Sequence, residues 1–295
     1  LIGVVPREKR NMTPTLPDNR IIDCRPSLTG KIAFVTGGIG GIGRECVQTL
    51  VAHGAHVAFT YTEGNKPAEE AERLVAENPD QVSAHLLDLR SLTSIQHSMG
   101  QAMAHWQRLD ILINNAAVGS ATVASYASEA AEQDSAMFMI NADGTLKVCQ
   151  NFLALMQHAI KTDPLKIINL SSVGGGIQAF PGFRLSDGMS KAAVAFLTRQ
   201  LAAELTDTLV DVFAVCPGAT NTAMFQASTL SQMTPTQQQA FTTSLPKGRL
   251  IAPSELASII VFLASAYPTP LHGAVIDASM GLGVRPGLIT ERGKE

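Results

Sequence analysis

The sequence predicts an α/β fold: a single domain built on a doubly wound, seven-stranded parallel sheet with helices on both faces. Three observations carry the prediction. Short apolar runs alternate along the chain with longer stretches of helical periodicity. The first run, Ile32 to Val35, ends in a glycine turn that leads directly into a helical pattern. Asp88, Asn114, Ser172 and Pro217 all fall where predicted strands end, the edge along which a parallel sheet has its ligand crevice.

The elements follow in order. Residues 1–28 are rich in Pro, Arg, Asn and Asp without a sustained period, which predicts an extension that is loosely packed or lies over a neighbour. Residues 29–285 form the domain, and 286–295 a tail. Ile32 to Val35 is apolar on both faces, as a buried parallel strand is. Gly37, Gly38, Gly40, Gly41 and Gly43 let the backbone approach a ligand closely, and Ile42 to Leu50 carries apolar residues at helical spacing. A strand, a glycine turn and a helix N-terminus together favour an anion, through free N–H groups and the helix dipole.

His56 to Tyr61 is the second strand, and Ala68 to Glu77 a helix stopped by Asn78 and Pro79. Val82 to Leu87 is the third strand, followed by a helix from Ser91 to Trp106. Ile111 to Ile113 is the fourth, running into Asn114 and Asn115. A long helix spans Glu129 to His158, Lys166 to Leu170 is the fifth strand, and Lys191 to Leu205 an amphipathic helix. Asp211 to Val215 is the sixth strand, broken by Pro217 and Gly218. Ser254 to Ala264 is the last helix, and Ala274 to Asp277 the seventh strand.

Composition narrows the function. A net charge of −3 with 22 scattered basic residues argues against a nucleic-acid partner. Four cysteines, none in a CxxC pair, suit a reducing compartment. The seven dispersed histidines give no metal site. No run of eighteen apolar residues and no signal-peptide pattern occurs, which predicts a soluble cytoplasmic protein without a membrane partner.

With Thr36-Gly37-x-x-x-Gly41-x-Gly43, Asp88-Leu89, Asn114-Asn115-Ala116, Asn141, Ser171-Ser172, Pro217-Gly218 and His272-Gly273 in this order, the chain resembles the short-chain dehydrogenase/reductase family from about Leu28 to Val284. The resemblance implies a Rossmann fold binding NAD(P). In that reading Gly37, Ile39, Gly40, Gly41, Ile42 and Gly43 form the phosphate turn, and Tyr61 and Thr62 lie at the adenosine ribose. Asp88 and Leu89 meet the adenine, Asn115, Ala116 and Ala117 line the nicotinamide ribose, and Pro217, Gly218, Thr220 and Thr222 cradle the nicotinamide. Ala117 stands where the family commonly has glycine.

Family members carry a catalytic Tyr-x-x-x-Lys after the serine. Ser172 and Lys191 match that pattern, but Asp187 stands four residues before the lysine, and none of the three tyrosines has a lysine four positions later. A carboxylate at this place opposes ketone reduction. Two like charges about 4 Å apart repel by roughly 4 kcal/mol at an effective dielectric of 20, and loss of a general acid costs about 10² to 10⁴ in rate. Three readings follow. One is a reductase of a carbonyl or activated alkene with a non-standard proton source, Lys191 and Asn141 holding a water chain. Another is an isomerase or dehydratase with Asp187 as base, and the third is a nucleotide-binding protein without turnover.

Strand two ends Thr60-Tyr61-Thr62, with Glu63 one step later and Lys66 beyond; the absence of an acid at the expected position points to NADP(H) over NAD(H), although Gly40 occupies a place where many NADP-dependent relatives have Arg or Lys. Arg44 either serves the phosphates or caps a charge. Ala223 to Pro246, with Met224, Phe225, Met233 and Phe241, reads as a lid over the substrate at about 223–247. Ser120 to Tyr126 and Gly174 to Arg184 form the other walls. The sole charge in the second wall, Arg184, predicts a small, mainly apolar substrate, with room for a carboxylate. The resemblance also implies a homo-oligomer, dimer or tetramer, to which the face Ala192, Ala193, Ala195, Phe196 and Leu201 is suited.

Overall fold

The computed structural model describes residues 26–284; the predicted extension and tail lie almost wholly outside the described residues. Seven strands are present: β1 (Ile32–Val35), β2 (His56–Tyr61), β3 (Val82–Leu86), β4 (Ile111–Asn114), β5 (Leu165–Leu170), β6 (Val210–Pro217) and β7 (Val275–Ala278). They pair in the order β3-β2-β1-β4-β5-β6-β7, and every pairing is parallel. Chain order reverses where β1 meets β4, so the crevice opens above these two strands.

The helices are α1 (Gly41–Ala52), α2 (Asn65–Glu77), α3 (Leu92–Trp106), α4 (Ala130–Phe138), α5 (Thr145–Leu155), the short turn α6 (Val173–Gly176), α7 (Leu185–Leu205), α8 (Ala223–Phe225), α9 (Pro235–Ser244) and α10 (Pro253–Ala264). They cover both faces and divide the core into two layers. One is built on Phe34, Leu112, Phe152 and Val212 beneath α3, α5 and α7. The other is built on Val35, Phe59, Phe213 and Ile260 beneath α1, α2 and α10. Strands covered on both faces need apolar residues at every position, and β1 and β4 are fully buried.

Two helices depart from expectation. The predicted long helix is interrupted by a π turn, Met139–Gly144, that joins α4 to α5 and carries Asn141. The helix predicted from Lys191 begins six residues earlier, at Leu185, so Asp187 and Lys191 lie one turn apart on the same helix. The oligomer face predicted on that helix also divides: Ala195 and Leu201 are buried on the sheet, whereas Phe196 is 65% exposed.

At the end of the sheet remote from the crevice, a charged group is buried. Lys166 donates to Asp211, which also accepts from Thr269 Oγ1 at 2.7 Å and lies 3.5 Å from His272 Nδ1. Lys166 and Asp211 are 4% and 7% exposed, so each charge depends on the other.

Candidate active site

A cleft of about 1730 Å³ runs along the carboxyl ends of the strands, from Thr62 and Glu63 at one end to Phe241 and Leu245 at the other. It exceeds the roughly 300–1,000 Å³ of a pocket for one drug-sized molecule.

The glycine turn forms its floor. Gly37 has φ +69°, a conformation that a side chain resists. A methyl on Gly43 would stand 2.1 Å from the Gly37 carbonyl oxygen and 2.5 Å from Asn115 Nδ2, so Gly43 lets helix and turn meet and lies behind the cleft. No side chain caps α1 at Gly40, and Ile39, Gly40, Gly41 and Ile42 line the cleft. The first amides of α1 are thus available to an anion.

Thr36 Oγ1 accepts the N–H groups of Asn115 and Ala116 at 3.0 Å each. Asn115 donates its amide to the carbonyls of Thr36 and Gly37, at 3.0 and 2.9 Å, and thereby ties β4 to the turn. Asn115, Ala116 and Ala117 line the cleft, as do Tyr61, Thr62, Asp88, Leu89, Pro217, Gly218, Thr220 and Thr222.

At the far end Asp88 is already engaged. Arg90 donates Nε to Oδ1 at 2.9 Å and Nη2 to Oδ2 at 2.7 Å, and these bonds hold the carboxyl below the usual carboxylate range. The guanidinium lies 4.9 Å from the centre of the Tyr126 ring. Sequence reasoning missed Arg90, although the tripeptide Asp88-Leu89-Arg90 placed it there. Arg44 is engaged elsewhere: it pairs with Glu70 at 3.1 Å and Glu77 at 3.5 Å, joining α1 to α2, and it is not among the residues that line the cleft.

Ser172, Asp187 and Lys191 all line the cleft. Ser172 begins the turn α6 and its Oγ accepts from Gly174 N at 3.2 Å, which leaves the hydroxyl proton for a ligand. Lys191 Nζ donates to the Leu170 carbonyl at 3.2 Å, with further protons to give. The Asp187 carboxylate has no hydrogen bond or ion pair with a described residue. Burial raises its pKa above the ordinary carboxylate range while Lys191 and Arg184 pull it down. Burial lowers Lys191, and Asp187 opposes that shift.

Two expectations are corrected. Asn141 is buried behind the wall: Oδ1 accepts from Val118 N at 2.9 Å, and Nδ2 donates to Val118 O at 3.0 Å and Ser190 Oγ at 3.2 Å. With both amide protons given to Val118 O and Ser190 Oγ, Asn141 secures the loop after β4, and only the second lone pair of Oδ1 is left to meet a water. Arg184 lies at the cleft rim, but its guanidinium pairs with Asp134 at 2.7 Å and donates to Gln133 and the Ala130 carbonyl, so Arg184 itself is not a free cation for a substrate carboxylate. Toward α8 and α9 the lining includes Phe180, Phe183, Met224, Phe225, Met233 and Phe241, with Ser228 and Thr229 among them. Phe225 and Phe241 lie with their rings 6.2 Å apart and link α8 to α9.

The uncapped amides, the cleft's length and the donors left on Lys191 fit a dinucleotide lying across the sheet. Comparison with known proteins agrees. Residues 37–283 match the family model described as enoyl-(acyl carrier protein) reductase. The oxidoreductase UcpA of Salmonella typhimurium is 31% identical over 264 residues, 86% of this chain and 96% of that protein. The Pseudomonas aeruginosa RhlG/NADP active-site complex superposes with a TM-score of 0.76 at 31% identity, covering 87% of this chain and 98% of that one. The 3-ketoacyl-(acyl-carrier-protein) reductase of Brucella melitensis, complexed with NADH, superposes at 0.74 with 25% identity, over 87% and 100% of the two chains. Fold, glycine turn and relatives agree that the chain belongs to the short-chain dehydrogenase/reductase family and is an NAD(P)-dependent oxidoreductase.

Proposed function

We propose that this oxidoreductase uses NADPH to reduce a carbonyl or activated alkene of a small, mainly apolar substrate, with a non-standard proton source because Asp187 stands in the place of the usual phenol. The observation that carries the reading is the position of Asp187, in the cleft and one helical turn before Lys191. The bound nicotinamide supplies a hydride. Ser172 hydrogen-bonds the substrate oxygen through its hydroxyl, Lys191 would hold the nicotinamide ribose, and the single proton that balances the hydride comes from water. Gly37 and Ile39 to Ile42 receive the pyrophosphate, Asp88 and Leu89 the adenine, and Pro217 to Thr222 the nicotinamide amide. Asn141 acts by positioning Val118.

The pH dependence tests the role of Asp187. Only its acid form can give a proton, and burial raises its pKa against Lys191 and Arg184. If Asp187 gave the proton, reduction of a ketone would fall about tenfold per pH unit once the pH exceeds the carboxyl's pKa, whereas with water as the source no such fall is expected. A kcat/KM profile that stays flat into the alkaline range would assign the proton to another group.

The preference for NADPH rests on Thr62, an uncharged residue at the end of β2 where an acid would accept the ribose 2′-OH. Thr62→Asp is expected to reverse the preference, read as dissociation constants for NADPH and NADH by fluorescence titration. Equal affinities in the unchanged protein would count against the assignment.

No described helix is long and apolar enough to cross a membrane. The buried, unpaired Cys46, Cys149 and Cys216 support a cytoplasmic location. Leu185, Met189 and Phe196 on α7 are 81%, 58% and 65% exposed, which supports a homo-oligomer formed through this helix. Light scattering is expected to give a multiple of 31.2 kDa; the monomer mass would refute the assembly.

A further inference from the structure

The charges of the cleft do not suit the electrophile that a phenol-bearing site reduces. A neutral phenol beside a lysine leaves one positive charge, matched to the oxyanion that a ketone becomes as it accepts a hydride. Here the carboxylate of Asp187 offsets Lys191, and Arg184 at the rim is offset by Asp134. The site is thus one unit more negative than its phenolic counterpart. Asp187 is also the one of these two carboxylates that lines the cleft, and no described residue binds it. The lining of the same cleft includes aromatic rings and thioethers, among them Phe183, Met224 and Phe225, and aromatic faces attract cations.

From this juxtaposition we infer that the substrate is a cation: an apolar iminium, C=N⁺, whose charge pairs with Asp187 and whose ring or chain rests on the aromatic lid. The inference rests on the reading of the cleft as a hydride-transfer site and names its electrophile. The chemistry balances without an acid. The iminium carbon accepts a hydride, a C–H bond forms, and the π pair of C=N becomes the nitrogen lone pair. The nicotinamide is oxidised by the same two electrons, and no proton enters or leaves. The absent phenol then costs nothing, because a neutral amine and not an alkoxide is the product. Ser172, with a hydroxyl that can accept as well as donate, is compatible with the cation. A ketone of the same shape would place its developing negative charge against Asp187.

The test uses the full chain saturated with NADPH and two bicyclic probes of similar size. One is the N-methyl-3,4-dihydroisoquinolinium ion, whose charge is independent of pH; the other is 1-tetralone. NADPH oxidation is followed by absorbance, corrected for the reaction without protein, and the amine is identified by mass spectrometry. The iminium is expected to have a kcat/KM at least about 10²-fold above that of the ketone. Asp187→Asn, of equal size and without charge, is expected to lose at least about 10² of the iminium rate through a raised KM and a lowered kcat, with NADPH affinity unchanged. Equal or faster reduction of the tetralone overturns the inference and leaves the carbonyl reading in place. So does an Asp187→Asn protein that reduces the iminium as well as its parent. Turnover of neither probe by protein that binds NADPH overturns it as well. Failure to bind NADPH at all would instead remove the hydride-transfer reading beneath it.

Discussion

Asp187→Tyr is expected to raise the NADPH-dependent reduction of an apolar ketone by about 10² to 10⁴, the usual contribution of a general acid. The substitution restores a neutral donor one helical turn before Lys191, on a helix already in place from Leu185. The room exists, because Asp187 borders the cleft and not the core. Its effect has two sources that act in the same direction. The phenol supplies a proton, and removal of the carboxylate ends a repulsion of roughly 4 kcal/mol against an oxyanion about 4 Å away at an effective dielectric of 20. Single-turnover measurements on wild type and variant would separate hydride transfer from product release. An unchanged rate with intact NADPH binding would mean that Asp187 is not near the reacting atoms.

Asp211→Ala is expected to have the largest effect on stability, about 3–5 kcal/mol, because it leaves the Lys166 ammonium buried without its counter-charge. Thr269 Oγ1 would lose its acceptor as well. At roughly 2–4 °C per kcal/mol for a domain of this size, the melting midpoint is expected to fall by about 6–20 °C. Lys166→Met with Asp211→Leu would recover most of the loss if the cost lies in the orphaned charge, since an apolar pair of similar volume is often neutral. Differential scanning calorimetry of the three proteins decides this. A midpoint unchanged in Asp211→Ala would mean that water reaches Lys166.

The layered fold was legible because buried parallel strands announce themselves: IAFV, HVAFTY and LKIINL leave little alternative to strand. The start of α7 was not. Leu185 to Ser190 reads LSDGMS, with a central glycine and no apolar period, and its helix is set by packing on α4 and by the Arg184–Asp134 pair, which are long-range contacts. The π turn was illegible for a related reason: periodicity over Ala130 to Leu155 registers the helices on either side and not the single extra residue between them. In the site, the residues predicted from the motifs, from Gly37 to Thr222, border the cleft apart from Gly43 and Asn141, but the motifs could not say which side chains were free. Asn141, Arg184 and Arg44 all had partners elsewhere in the chain, and sequence spacing carries no record of them.

The π turn at Met139–Gly144 also works as a phase shifter. Each residue of an α-helix advances the direction of its side chains by about 100°, so a one-residue deletion there would rotate everything downstream by that angle. Val148, Cys149 and Phe152, now directed into the core, would swing toward solvent, while Asn141 lost its purchase on Val118. A chain that drifts by point substitution can alter every wall of its cleft, yet it cannot shorten this turn without dismantling α5. Insertions and deletions among descendants of this sequence should therefore accumulate in the lid and avoid residues 139–144.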